Sequence, residues 1–271
     1  MSNDAGDGVD LNAEEIEAAL ASTVFYGGLN HFRTIGSTNT HALEEARKGA
    51  RHGSFYVADE QTAGRGRSDH KWQSQAGEGL YLTVLLRPDL KAADLPWLPL
   101  MAGLAVHRAI NEVTRLAADL RWPNDVLIGP RKVAGILVEA QTELERATAA
   151  VVGIGINLHQ RQFAEGLSTE ATSLDLESGR FVSRQDLLIA VLMGLHRELA
   201  AFARDRGDAI AAIPARVAVV SSWVEGCRVD VHGPQPCSGV TAGLDERGFL
   251  RVRTATGMAT VTTGGIRKAI D

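Results

Sequence analysis

Three stretches rich in Val, Ile and Leu follow one another at 126–128, 133–140 and 149–156, with only short polar turns between them. β-branched runs this closely spaced predict sheet strands joined by hairpins, and they commit the middle of the chain to a sheet. Just before them, 98–116 carries an apolar helical periodicity with Gly103 inside it, which predicts a buried helix packed on that sheet. A sheet of hairpins covered by helices is an α+β arrangement.

The flanking segments extend this pattern. The first ten residues read as a flexible tail, and Asn12-Ala13-Glu14-Glu15 as a capping box opening a short helix to about Leu20. A strand near 31–35 leads into Ser37-Thr38-Asn39, placed at the N-cap of a helix that ends at Gly49. Runs at 54–58 and 80–86 are β-rich, and the polar, glycine-rich stretch between them is a loop. Residues 185–203, capped by Ser183, form an amphipathic helix expected to close this domain. From about Ala218 the texture changes. Short alternating runs at 229–231, 239–241, 249–252 and 260–262, with glycine at the turns, predict a small β-barrel of about 50 residues. The expected division is a tail and short helix at 1–24, a large domain at 25–217 and the barrel at 218–271.

With 271 residues and 45% hydrophobic content the chain can bury a sizeable core. Its formal net charge of −5 argues against nonspecific binding to nucleic acid or to an anionic membrane. Cys227 and Cys237 are too few for a disulfide framework or a structural zinc site, and no bound metal is expected from the protein's own ligands. Neither a signal peptide nor a membrane-spanning run is legible, so the expected location is cytoplasmic.

The most informative segment is Gln61-Thr62-Ala63-Gly64-Arg65-Gly66-Arg67-Ser68-Asp69-His70-Lys71-Trp72. Here an acidic chain concentrates Arg65, Arg67, His70 and Lys71 on a glycine-rich loop. Glycine lets backbone N–H groups approach an anion, and the arginine fork binds phosphate or carboxylate in a bidentate way. A solvated basic turn is the plain alternative. Trp72 is either a core anchor or a stacking plate for an aromatic base. In Arg121-Trp122-Pro123-Asn124-Asp125 a turn joins two β-rich runs. Arg131-Lys132 then leads into a strand containing Gly135, and glycine within a strand often marks close approach of a ligand. Gly153-Ile154-Gly155-Ile156-Asn157 places two more glycines and an Asn on another apolar strand, without the third glycine of a dinucleotide fingerprint.

In this order, Ser-Thr-Asn, Gln-x-x-Gly-Arg-Gly-Arg-x-x-x-x-Trp, Trp-Pro-Asn-Asp, Lys-x-Ala-Gly-Ile-Leu-Val-Glu, Gly-Ile-Gly-Ile-Asn and a small barrel, the chain resembles the biotin–protein ligase family from about Phe32 to its C-terminus. The resemblance implies a catalytic domain like that of class II aminoacyl-tRNA synthetases, a mixed sheet with flanking helices, followed by an SH3-like barrel. It implies an ATP-dependent ligase that makes biotinyl-5′-adenylate and transfers biotin to a lysine of a biotin carboxyl carrier protein. ATP and biotin would be substrates, with Mg²⁺ accompanying ATP, and a homodimer is left open. By the same resemblance Ser37, Thr38, Asn39, Gln61, Gly64, Arg65, Gly66, Arg67, Arg121 and Gly135 bind biotin. Arg67, Trp72, Asn124, Lys132 and Asn157 bind ATP or the adenylate, and Arg67, Arg121, Lys132 and Asp125 carry the chemistry.

Two positions depart from the family pattern: Asp69-His70 replaces a further Gly-Arg, and Arg121 replaces a common Lys that contacts the biotin carboxylate. Arg keeps the charge but offers a planar fork in place of a point donor. About 30 residues precede the first matched strand, too few for the helix-turn-helix domain of biotin-responsive repressors, so a short form without a DNA-binding domain is expected. Lipoate and octanoate transferases share the architecture; the intact Gly-Arg-Gly-Arg loop and the barrel favour biotin. A noncatalytic biotin or adenylate sensor stays open because of Arg121. The chemistry fits a ligase: a carboxylate must attack the α-phosphate of ATP, and Arg65, Arg67, Arg121, Lys132 and a magnesium ion would neutralise the meeting anions. Asp125 is the candidate for orienting or deprotonating the acceptor lysine.

Overall fold

A computed structural model describes residues 11–67, 70–88 and 90–269; the tail expected over 1–10, and Asp69, lie outside the described residues. The larger of two sheets contains β1 (Leu29–Ile35), β2 (Phe55–Gln61), β3 (Gly79–Leu86), β4 (Leu90–Lys91), β5 (Ala118–Arg121), β6 (Asp125–Ile128), β7 (Arg131–Glu143) and β8 (Arg146–Asn157). The order is β1-β2-β3-β8-β7-β6-β5, with β4 also on β8. The β1–β2 pair is parallel and the others are antiparallel, so the sheet is mixed. The reason lies in the connections: α2 (Thr38–Arg47) supplies the crossover that a parallel pair needs, whereas β5 to β8 are successive hairpins. The three Val/Ile/Leu runs are β6, β7 and β8, as expected.

Helices cover both faces. On one side Ala42 and Ala46 of α2 pack with Tyr56, Leu85, Ala149 and Val151. On the other, α3 (Trp97–Thr114) is buried along most of its length against the sheet and α5 (Arg184–Arg204). Glycines permit this closeness. A Cβ on Gly103 would stand 2.6 Å from Leu120 Cδ1, and one on Gly194 3.2 Å from Ala105 Cβ. Ahead of β1, α1 (Ala13–Ala19) starts at Asn12, whose Oδ1 accepts from Glu14 and Glu15 N–H. The capping box is only half made, because the Asn12 backbone N–H donates to Gln185 Oε1 on α5.

The helical part does not end with α5. After α4 (Leu174–Ser178) and α5 comes α6 (Arg206–Val219), with Asp205 as its N-cap. Pro214 inside it and only Ile213 and Val217 buried leave little helical periodicity in the sequence, which is why the pattern reading missed it. The C-terminal strands β9 (Glu225–His232), β10 (Cys237–Leu244), β11 (Leu250–Thr254), β12 (Gly257–Val261) and β13 (Gly265–Lys268) form a separate antiparallel sheet, ordered β12-β11-β10-β9-β13. Val229, Val231, Leu250, Val252, Val261 and Ile266 are buried within it. Trp122 Nε1–H fastens it to the first sheet by donating to Gly248 C=O at 3.0 Å, and the segment leading into it from α6 is tied to β5 by Leu120 N–H on Val220 C=O at the same distance. Among the described residues no helix is long and apolar enough to cross a membrane.

Candidate active site

A cavity of about 710 Å³ opens where the 64–72 loop, the 122–124 turn, the segment 160–171 and the turns around 233 and 264 of the C-terminal sheet converge. It gathers thirteen of the fourteen positions singled out from the biotin and adenylate motifs outside Asp125, and Asp125 as well. Those lining it are Ser37, Thr38, Asn39, Gln61, Arg65, Gly66, Arg67, Trp72, Arg121, Asn124, Lys132, Gly135 and Asn157. Gly64 is the exception. A Cβ there would stand 2.4 Å from the Trp72 carbonyl, and Gly64 C=O accepts from Trp72 N–H at 3.0 Å, so Gly64 lets the loop close on itself beneath the cavity.

One end is neutral and tightly hydrogen-bonded. Ser37 caps α2, which buries Thr38 and Asn39 at the head of the helix. Gln61 Oε1 accepts from Thr38 N–H and Oγ1–H at 2.9 and 3.0 Å, while Gln61 Nε2 donates to Ser74 Oγ. The Thr83 hydroxyl lies 2.7 Å from both Thr38 Oγ1 and Asn39 Oδ1, and Asn39 Nδ2 donates to Glu139 Oε2 and Leu137 C=O. This closeness depends on Gly153, where a Cβ would fall 2.2 Å from Asn39 Oδ1. Such a fixed set of donors and acceptors suits a small polar head group.

The other end is charged. Arg121, on the last residue of β5, donates through Nη2 to Asp125 Oδ2 at 2.6 Å and to Thr169 Oγ1 at 3.0 Å. Lys132 Nζ lies 2.6 Å from Asp125 Oδ1. Register explains the triplet: Arg121 faces Asp125 across the β5–β6 turn, and Lys132 comes from the next strand. Burial pushes the Asp125 carboxyl up, but Lys132 and Arg121 prevail and hold it below its ordinary value. It is therefore an ionised acceptor. Asn124 is tied down beside it, with Nδ2 donating to Ile136 C=O at 2.9 Å.

The basic loop folds over these groups. Arg65 forms a two-point pair with Glu139, Nη2 to Oε1 at 2.9 Å and Nη1 to Oε2 at 3.2 Å. Arg67 Nη1 donates to Asn124 Oδ1 at 2.9 Å and to Gly264 C=O at 3.0 Å, bridging the first sheet to the C-terminal one. Burial pushes the Arg67 guanidinium below its ordinary value. Trp72 lies on a glycine floor: Cβ atoms on Gly155 and Gly135 would stand 2.5 and 3.0 Å from its ring. Lys132 Nζ sits over the same ring at 5.4 Å. Asn157 is buried, its Nδ2 donating to Thr172 C=O.

Sequence reasoning missed three contributors. Thr169 holds Arg121, and its segment docks because Lys132 N–H and C=O pair with Glu170 C=O and Thr172 N–H. Thr83 is hidden in an apolar strand, and Thr263-Gly264 is distant in sequence. No local signal marked any of them.

Comparison with known proteins gives a consistent result. Residues 31–157 match the Biotin/lipoate A/B protein ligase family. The chain is 32% identical to the biotin–[acetyl-CoA-carboxylase] ligase of Mycobacterium tuberculosis over 237 residues, covering 85% of each. It is 38% identical over 185 residues to the bifunctional ligase/repressor BirA of Bacillus subtilis, 68% of this chain and 57% of that protein. The chain thus spans somewhat over half the length of that relative. Its structure superposes on that of the biotin protein ligase from Aquifex aeolicus in complex with biotin and ATP with a TM-score of 0.77 at 30% identity, covering 89% of this chain and 99% of the other.

Proposed function

Because this chain belongs to the biotin–protein ligase family, we propose that it condenses biotin with ATP to biotinyl-5′-adenylate and pyrophosphate, then transfers the biotin to a lysine of a biotin carboxyl carrier protein. The observation that carries this reading is the Arg121–Asp125–Lys132 triplet at the charged end of a cavity whose other end is neutral and rigid. In this reading 1–24 precede a catalytic domain at 25–217, of class II aminoacyl-tRNA synthetase type, and 218–271 form an SH3-like barrel.

The neutral network of Ser37, Thr38, Asn39 and Gln61 takes the biotin head, with Gly135 clearing the floor for it. Biotin's carboxylate then reaches Arg121 and Lys132. Both cations are now balanced by one carboxylate, so an arriving carboxylate and α-phosphate share a site already positive on their side. Arg65 and Arg67 close over the ligand from the loop, while Trp72, Asn124 and Asn157 take the nucleotide. Bringing two anions together is the main barrier, and fixed cations in a partly dehydrated pocket lower it by charge and by position. Among the described residues no group of three or more His, Cys, Asp or Glu side chains converges as a metal site. Arg67, Arg121 and Lys132 line the cavity as cations suited to phosphate, and a Mg²⁺ arriving with ATP would be held by its phosphates and would draw charge from the departing pyrophosphate.

For the second step Asp125 attracts and orients the acceptor lysine. Its carboxyl is held below the ordinary range, which makes it a weak base and a good ion-pair partner. The test is incubation with ATP, a carrier domain and biotin, lipoate or octanoate in separate reactions, read by mass spectrometry. Biotin on one carrier lysine is expected; modification by lipoate or octanoate alone would overturn the assignment.

A further inference from the structure

The indole of Trp223 has no hydrogen-bonding partner for its buried Nε1 among the described residues, unlike that of Trp122, which donates to Gly248. Trp223 is nevertheless only 6% exposed. Its ring packs into the hydrophobic core and also meets charge: Arg121 Cζ lies over it at 5.3 Å and Lys268 Nζ at 5.2 Å. We infer that Trp223 is a positioning residue for Arg121, fixing the plane of the guanidinium that faces the cavity.

The argument is one of degrees of freedom. Both hydrogen bonds of Arg121 use Nη2, to Asp125 and to Thr169, so they pin one nitrogen and leave the plane free to swing about it. A ring face against the guanidinium removes that swing, because a planar cation stacks on an aromatic face and indole is the strongest such face. The same contact accounts for arginine at a position where a spherical ammonium would gain no orientation from the ring. Trp223 lies between α6 and β9, on the segment that joins the two sheets, and Lys268 is on β13. The segment leading into the C-terminal sheet thus sets the geometry of a residue on β5. This rests on the reading of Arg121 as a ligand of the biotin carboxylate.

The experiment is a double-mutant cycle on the full chain, with biotin-dependent pyrophosphate release as readout. Relative to the parent, Trp223→Phe should stay within about threefold, whereas ringless Trp223→Met should lower kcat for adenylation about tenfold with KM for biotin little changed. Transfer from preformed biotinyl-adenylate should be unaffected by Trp223→Met. In an Arg121→Lys background the further loss from Trp223→Met should shrink to less than about threefold, since the ammonium has no plane to orient. Equal losses in both backgrounds, or parental adenylation by Trp223→Met, would overturn the proposal. Trp223→Leu serves as a second ringless variant, and loss of the fold in both would show a structural residue and overturn it too. Thermal unfolding of the same four proteins is independent of activity: non-additive Tm shifts support the contact, and additive ones sink it. A parent that releases no pyrophosphate with biotin counts against the ligase reading alone.

Discussion

Lys132 places its ammonium 2.6 Å from Asp125 Oδ1, the oxygen that Arg121 leaves open by taking Oδ2 at the same distance. One carboxylate balances two cations, and all three are largely buried. Asp125→Asn keeps the shape and removes the charge, leaving Arg121 and Lys132 facing each other. It should lower stability by about 1–3 kcal/mol, the range for a buried group deprived of its partner, and slow transfer to the carrier about a hundredfold. Chemical denaturation and single-turnover transfer measure the two effects.

The pH dependence of that stabilisation follows from the depressed Asp125 carboxyl. A group whose pKa is lower folded than unfolded stabilises fully above its unfolded value and loses that contribution as pH falls through the folded one. The Tm difference between the parent and Asp125→Asn should therefore be level near neutral pH and close below the ordinary value of 3.8. A gap that persists at acid pH would contradict the ion-pair account.

Arg121→Lys retains the charge beside the carboxylate, so adenylation should remain within about tenfold of the parent, roughly 1.4 kcal/mol of barrier. Arg121→Ala should lose most of the activation step while circular dichroism shows the fold intact. Parental adenylate formation by the Ala variant would remove Arg121 from the site.

Arg67 is held by Asn124, Thr263 and Gly264, all of them short neutral partners. Its charge-assisted bonds to an adenylate would be worth roughly 1.5–3 kcal/mol each, so Arg67→Ser should speed adenylate release at least about tenfold with little change in Tm. Biotin with ATP should also protect the 64–72 loop from protease in the parent more than in Arg67→Ser. Equal release and equal cleavage in both proteins would speak against loop closure by this residue.

Gly153→Ala should push Asn39 from its pocket, because the new methyl would stand 2.2 Å from Oδ1. That carboxamide bonds Thr83, Leu137 and Glu139, so the expected cost is about 1–3 kcal/mol of stability with loss of biotin binding. Calorimetry on the purified variant measures both.

By itself the sequence determined most of the strands and most of the residues that come to line the cavity. Periodicity and turn chemistry are local properties, and the hairpins β6 to β8, the cap at Ser37 and the glycine-rich basic loop are all written within a few residues of one another. Helix α6 escaped because Pro214 and a thin buried stripe blur its period. Tertiary structure alone decided the electrostatics of the site. That Asp125 is held ionised, that Thr83 and Thr169 complete two hydrogen-bonding sets, that Thr263 and Gly264 reach Arg67 from the C-terminal sheet and that Trp223 reaches Arg121 from the segment leading into it depends on contacts between residues 44 to 197 positions apart or on burial. A pKa, a cation over a ring and a shared carboxylate exist only once distance and dielectric are fixed, and those are properties of the packed chain.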